Sequence, residues 1–413
     1  MKNAEKRKIE KGAASLYVAV IVLAISLAIV ISVSSLVYGQ QKIVQSAEAA
    51  GKAYFAAESG IEDALLRMKN NPMTGAVSYN FGVGQGTAQI AISGIIGGSR
   101  TITSTGSYAG RVKKIQVVYQ VSTKQASFYY GAEIGNAGLV MENNSTVNGN
   151  IFSNGNVNAQ SGSRIEGTVK VAGLGKSISG ATISGNAYVD TCDGSEIAGE
   201  LNALSESGCS YGAFNSQSPP EALPLPIPQE DIDQWKQEAQ NGGIIGTQSF
   251  SSGSRVMGPS KIEGNLTVDG SAILILDGTL WVTGNINIAN NAQVQLSGSY
   301  GSLSGVIVAD GVITIQNNSI SSGSGSSGSY LMYLSTAAAN PALIVKNNAI
   351  VDIVYTSNGW IQIENNAVLR QITGYGILVK NNAEITYEIG LADVDFTSGP
   401  GGSWEVTSWK EIE

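Results

Sequence analysis

The sequence predicts an α+β chain. One long N-terminal helix of transmembrane length leads to a small antiparallel β region. An all-β, three-sided parallel β-solenoid with about 18 residues per coil follows. Three observations predict this. Residues 16–37 carry no charge. Gly149, Gly155, Gly162, Gly167, Gly173, Gly180 and Gly185 recur at intervals of five to seven residues. After residue 250 the pattern apolar-x-apolar-x-Asn-Asn-small appears five times.

The helix comes first. Its 22 uncharged residues span about 33 Å as a helix, enough for a bilayer core. Lys2, Lys6, Arg7, Lys8 and Lys11 outweigh Glu5 and Glu10 in front of it. That basic flank places the N-terminus in the cytoplasm and the bulk of the chain outside. A cleaved secretory signal fits worse, because the apolar run is long and no small-x-small site closes it. Good helix formers continue to Asn70, where Asn71-Pro72 stops them. The periodicity predicts one helix from about Ala14 to Asn70 with an apolar stripe of Ile43, Val44, Ala47, Phe55, Ile61, Leu65 and Met68.

Residues 75–125 read as strands. "TAQIAIS" and "RVKKIQVVYQVST" alternate apolar and polar, and "GIIGGSR" and "STGSYAGR" supply turns. The glycines of "FGVGQG" are turn residues, since no helix follows them to make a nucleotide loop.

The solenoid rests on its period. Successive sets of three glycine intervals add to 18, so Gly149 maps to Gly167 and Gly167 to Gly185. Three short strands per coil would bury Ile151, Val157, Ile165 and Val169, and each corner would hold a residue tolerant of positive φ. The later coils place Asn347 and Asn348, Asn365 and Asn366, and Asn381 and Asn382 at such corners. Asparagine adopts the left-handed region, and its amide can bond the amide one coil away. A second reading of that ladder is contact with surface glycans. Between the two solenoid segments lie Pro219, Pro220, Pro224, Pro226 and Pro228, then "EDIDQWKQEAQNGG", a short helix. This insertion is expected along the outside of the rod, pinned by Trp235. "SSGSGSSGS" reads as a flexible loop. The segments are a leader (1–12), helix (13–72), β-meander (73–128), solenoid (129–217), Pro-rich insertion (218–245), and second solenoid with a C-terminal cap (246–413), where Trp404 and Trp409 would cover the last coil.

Composition limits the chemistry. There is no histidine, which removes Ser-His-Asp and Cys-His nucleophiles and histidine metal sites. No cofactor is expected. The net charge of −8 argues against nucleic-acid partners. "GLGKS" lacks the first glycine and the helix of a phosphate loop. Asp190 with Asp193, or Asp393 with Asp395, are the nearest acidic pairs for polysaccharide hydrolysis, and acids so placed are more often solvated or weak Ca²⁺ ligands. Trp281 and Trp360 could stack on sugars. Cys192 and Cys209 are an even pair in an exported region and predict a disulfide worth about 3 kcal/mol; the alternative is two buried free thiols.

The short basic leader ending in Gly12, the apolar helix from Ala13, and "FAAESGIEDAL" beyond it resemble type IV pilins, in particular the N-terminal region of PilX-type minor pilins. The resemblance covers roughly residues 6–70. It implies cleavage by a prepilin peptidase between Gly12 and Ala13, and packing with other pilin subunits. Major pilins carry Glu at the fifth position after the cut, where this chain has Tyr17. The solenoid is similar to bactofilin-like and β-helical surface proteins by period alone. The expected function is a structural, non-catalytic minor pilin-like subunit, held in the cytoplasmic membrane before assembly and showing a rod for adhesion. The alternatives are an uncleaved surface anchor with a glycan-binding rod, or a polysaccharide-active enzyme.

Overall fold

The structure, a computed structural model, describes residues 2–70, 76–94, 99–121, 123–126, 128–388, 391, 394–397 and 404–412. Helix α1 (Lys2–Asn70) has 69 residues and is about 104 Å long. It runs unbroken through the leader, where the sequence pattern placed its start near Ala14.

Four strands form an antiparallel meander against the last turns of α1: β1 (Val77–Val83), β2 (Gly86–Ile92), β3 (Ser99–Tyr108) and β4 (Arg111–Val121). The strict alternation of β2 puts Ala88, Ile90 and Ile92 on the helix side. Ile102, Ile115 and Val117 join them and pack against Ile61, Ala64 and Met68. The buried face of α1 differs from the predicted stripe. It is Ala49, Ala53, Ala56, Ala57, Ile61, Ala64 and Met68, while Ile43, Val44, Ala47 and Phe55 stay exposed. The sheet lies too close to the helix backbone for large side chains, so alanines line the contact.

The fifth strand of this sheet comes from the far end of the chain. Trp404–Ile412 pairs antiparallel with β4, Trp409 opposite Val117. This corrects the expectation that Trp404 and Trp409 cap the last coil. Strand 404–412 alternates well enough to extend a sheet, and the unpaired edge of β4 offers it backbone partners that the rod does not.

The rod has three walls of parallel strands. On one, Ile165 stands over Val147, Ile183 over Ile165 and Ile197 over Ile183. On the second, Ile151, Val169, Ala187 and Leu201 stack on Ala132. The third stacks Val157, Ile178 and Cys192 on Leu139. All are buried in one continuous core. The 18-residue interval holds in the first coils, as between Ser145 and Ser163, and falls to 14 further along, as between Thr191 and Ser205. In the second segment it widens to 27 and 30 before returning to 18.

Chain order is not rod order. The last coil of the second segment stacks beneath the first coil of the first segment: Ile372 on Ala132, Ile377 on Leu139, Ile385 on Val147. The chain therefore joins and leaves the stack at an interior coil. The wall that contains Val147 is twelve strands deep, roughly 53 Å. The Pro-rich insertion spans the stack from one end to the other. Pro220 accepts from the Gly173 amide, Leu223 exchanges bonds with Asn154, and Ile227 accepts from Tyr355. Helix α2 (Gln229–Asn241) follows, with Ile232 and Trp235 buried. It covers strands Gly305–Ala309 and Leu331–Ser335, which are buried on every residue. A wall shielded on both faces needs continuous apolar runs, and "GVIVA" and "LMYLS" are such runs.

Two corner columns differ in cause. Gly167 and Gly185 are not at positive φ. A Cβ on Gly167 would stand 2.5 Å from the Gly149 carbonyl oxygen, and one on Gly185 2.6 Å from that of Gly167. Close stacking of coils, not the turn, demands glycine there. The asparagine corners do adopt the left-handed region, but only at the second residue of each pair: Asn291, Asn318, Asn348, Asn366, Asn382 and also Asn144. The ladder between coils is chiefly backbone. The amide N–H of Asn348 donates to the carbonyl of Asn365, and that of Asn318 to Asn347, each at 3.3 Å. One side-chain rung joins Asn143 to Asn381 at 3.4 Å. The following residue, such as Ala349 or Ala367, is buried and small because it turns inward. Asn348→Ala is expected to cost about 1 kcal/mol for the left-handed backbone, and Asn348→Gly close to nothing. Thermal melting of the two variants checks this; equal losses would refute it.

The serine-glycine segment is fastened rather than loose. Ser329 donates to the Leu303 carbonyl at 2.7 Å, and the Ser324 amide donates to Ser329 at 2.9 Å.

Candidate functional site

Among the described residues, nothing outside α1 buries residues 15–37 of the helix. Residues 16–37 are all exposed, and Leu16, Val20, Leu23, Ile29 and Leu36 face outward. A helix apolar on every side and exposed on every side needs another apolar medium. It is long and apolar enough to cross a membrane. Two of its serines bond within the helix. Ser26 donates to the Val22 carbonyl and Ser32 to that of Ala28, both at 2.8 Å, as a helix in hydrocarbon requires.

Tyr17 is 71 % exposed on this segment. Gly12 and Ala13 lie within α1, but their surroundings fall outside the described side chains. Beyond residue 48 the helix becomes two-faced. Its alanine face holds the sheet, and Phe55, 64 % exposed, stands on the other side with Leu66. Ion pairs Glu48–Lys52 (2.7 Å) and Asp63–Arg67 (2.6 Å) lie at helical spacing, and Tyr79 donates to Asp63 at 2.8 Å, fixing the sheet to the helix.

The other predicted residues do not gather into one site. Cys192 and Cys209 are bonded, with Cα atoms 6.4 Å apart, and tie down the outermost coil of the first segment. Asn347, Asn365 and Asn381 run with their neighbours Asn348, Asn366 and Asn382 along one solvent-facing corner of the other segment. Asp190 accepts from the Gly175 amide at 2.6 Å and Asp193 is exposed, so the two do not converge on a cleft. Asp393 lies outside the described residues, as does the side chain of Asp395. Trp281 is already engaged. Its indole donates to Asp310 at 2.9 Å, and the ammonium groups of Lys261 and Lys236 lie 4.6 Å and 5.7 Å from the ring centre.

Sequence reading missed two charged features. Asp352, Arg370 and Glu388 stand on successive coils, and Arg370 binds both acids. Burial pushes the Asp352 carboxyl up, against the Leu331 amide and the Arg370 guanidinium, which pull it down. The 18-residue interval between the three is the one signal of this cluster in the sequence. The second is Glu133, buried beside the Pro-rich insertion. Among the described residues no three His, Cys, Asp or Glu side chains are grouped to hold a metal ion.

No family model matches the chain, and no curated protein does. Among solved structures it is similar to the competence-associated pilin ComZ from Thermus thermophilus at 10 % identity, over 88 % of this chain and 97 % of that one, with a TM-score of 0.27. A TM-score of that size does not establish a common fold.

Proposed function

We propose that the chain is a structural, non-catalytic, minor pilin-like subunit of a surface filament. Held first in the cytoplasmic membrane by α1, it would be freed by a prepilin peptidase between Gly12 and Ala13 and packed through α1 with other pilin subunits. The rod would then serve adhesion or surface contact. One observation carries this reading. A single helix is bare and apolar over residues 16–37, then continues without a break into a folded head. The bare half suits lipid and a bundle of like helices equally, since both bury it. Exposed Phe55, Leu66, Ile43 and Val44 extend the surface available to sister helices beyond the bilayer.

Tyr17, in place of the fifth-position Glu, suits a minor subunit, and by weakening the case for processing it leaves a second reading: an uncleaved anchor with a glycan-contacting rod. N-terminal sequencing of the mature chain from its native membrane and from sheared surface filaments separates the two. Assembly predicts a start at Ala13 and recovery in the filament fraction. An intact leader found only in membranes would overturn it.

A further inference from the structure

The Pro-rich insertion crosses the rod at the coil where the chain leaves the head. Two hydrogen-bonded points flank its proline stretch. Asn154 Nδ2 donates to the Leu223 carbonyl at 2.8 Å and its Oδ1 accepts from the Leu223 amide at 3.2 Å. Further on, the Tyr355 hydroxyl donates to the Ile227 carbonyl at 3.0 Å. Pro224 and Pro226 stand between those points and have no N–H to bond the rod. A cleft of about 370 Å³ opens beneath them. Tyr129, Tyr130, Phe152 and the two prolines wall it, and Glu133 lines it. Tyr129 is 62 % exposed, while the Tyr130 and Phe152 rings meet at 5.5 Å and 46°.

Glu133 is 9 % exposed. Its Oε1 accepts from the Tyr129 amide at 3.1 Å, and the Tyr130 amide also donates to the carboxylate. Among the described residues no lysine or arginine pairs with it. The other titratable groups near it are Tyr129 and Tyr130 of the cleft lining, on its own segment, and Tyr355, two coils away. A carboxylate without a cation, set among aromatic faces in an open cleft, is incomplete. Cations bind to aromatic faces and to carboxylates for the same electrostatic reason.

We infer that this cleft binds an organic ammonium ion, with Tyr129, Tyr130 and Phe152 around the cation and Glu133 as its counter-charge. The volume lies at the lower end of the range for small-ligand pockets, which suits a trimethylammonium or alkylammonium group. Burial raises the Glu133 carboxyl to about 7, offset by the two amides. A ligand of fixed positive charge therefore prefers the pH range above 7. Its affinity should fall about tenfold per pH unit below that value. This inference stands whether or not the chain assembles into filaments.

The test uses the full chain in maltoside micelles and titration calorimetry. The probes are choline, its neutral isostere 3,3-dimethylbutan-1-ol, and phosphocholine. At pH 8 choline should bind saturably and at least tenfold more tightly than the isostere. At pH 5.5 its affinity should drop at least tenfold. Glu133→Gln keeps an acceptor for the Tyr129 amide and should abolish the pH difference and shrink the preference over the isostere to what the rings supply. Tyr129→Ala removes an exposed ring and should weaken choline several-fold with no change in melting temperature, so the inference stays testable even if Glu133→Gln unfolds. Phosphocholine binding as tightly as choline assigns the cation to a lipid headgroup; weaker binding assigns it to a free cation. No saturable choline binding at pH 8, equal binding of choline and isostere, or a flat pH profile overturns the inference.

Discussion

Gly106→Val is expected to unseat the head from α1. A Cβ at Gly106 would land on the Ala53 carbonyl oxygen and the Ala57 amide nitrogen. Both belong to helix backbone, which has no rotamer to yield. The sheet must lift away instead, and Ile61, Ala64 and Met68 lose contact with Ile90, Ile102 and Ile115. Overpacking with loss of a small core of this kind costs about 3 kcal/mol or more. Gly82 is the control. Nothing lies within 4 Å of its position and it sits on edge strand β1, so Gly82→Val should change stability by less than about 0.5 kcal/mol. Limited proteolysis of the full chain reads the difference: cleavage within the meander should rise sharply for Gly106→Val and stay at the wild-type rate for Gly82→Val. Matching rates for the two variants would remove the close contact as the reason for the alanine face.

The same close contact explains what the sequence concealed. The helix, the meander and the 18-residue period of the first coils were legible, because each has its own periodicity. The face of α1 was not. Large apolar residues usually mark a buried face, yet here Phe55, Ile43 and Val44 are exposed and alanines are buried. Periodicity reports which residues share a face, but not how near the partner backbone comes. The corner glycines were similarly half legible. Their spacing located the corners, while the cause at Gly167 is the coil beneath it and not its own φ. Stacking order was hidden entirely. The pattern of Ile372, Ile377 and Ile385 is that of any coil, and nothing local says that its partner lies at Ala132, Leu139 and Val147, more than two hundred residues earlier. The Glu133 cleft was hidden for the same reason, since its walls come from residues 129–154 and 223–226.

That stacking order gives the insertion a mechanical task. The chain leaves the top of the first segment and must reach the bottom of the second, so the insertion straps the length of the rod. Trp235 is where the strap is pinned. It is buried, meets Phe396 at 5.9 Å and 63°, and shares a cluster with Val306, Met332 and Tyr355 of the rod wall and Phe128 near the head. Phe396 lies on the strand by which the chain returns to the head. One side chain thus touches strap, rod and return strand. Trp235→Ala is expected to cost about 3–5 kcal/mol. If the strap opens locally, 3 kcal/mol is about a hundredfold rise in the open population, read as faster cleavage within residues 218–228. The coil closed by Cys192–Cys209 lies away from that cluster and should keep its resistance to protease. Trp409 gives the comparison: it is 41 % exposed on the edge of the head sheet, and Trp409→Ala should leave strap cleavage unchanged. Equal cleavage of the strap in wild type and Trp235→Ala would mean that the prolines and their few hydrogen bonds hold it without the indole. The second segment would then be kept in register by those bonds and by the coil contacts at Ala132, Leu139 and Val147, without help from the indole.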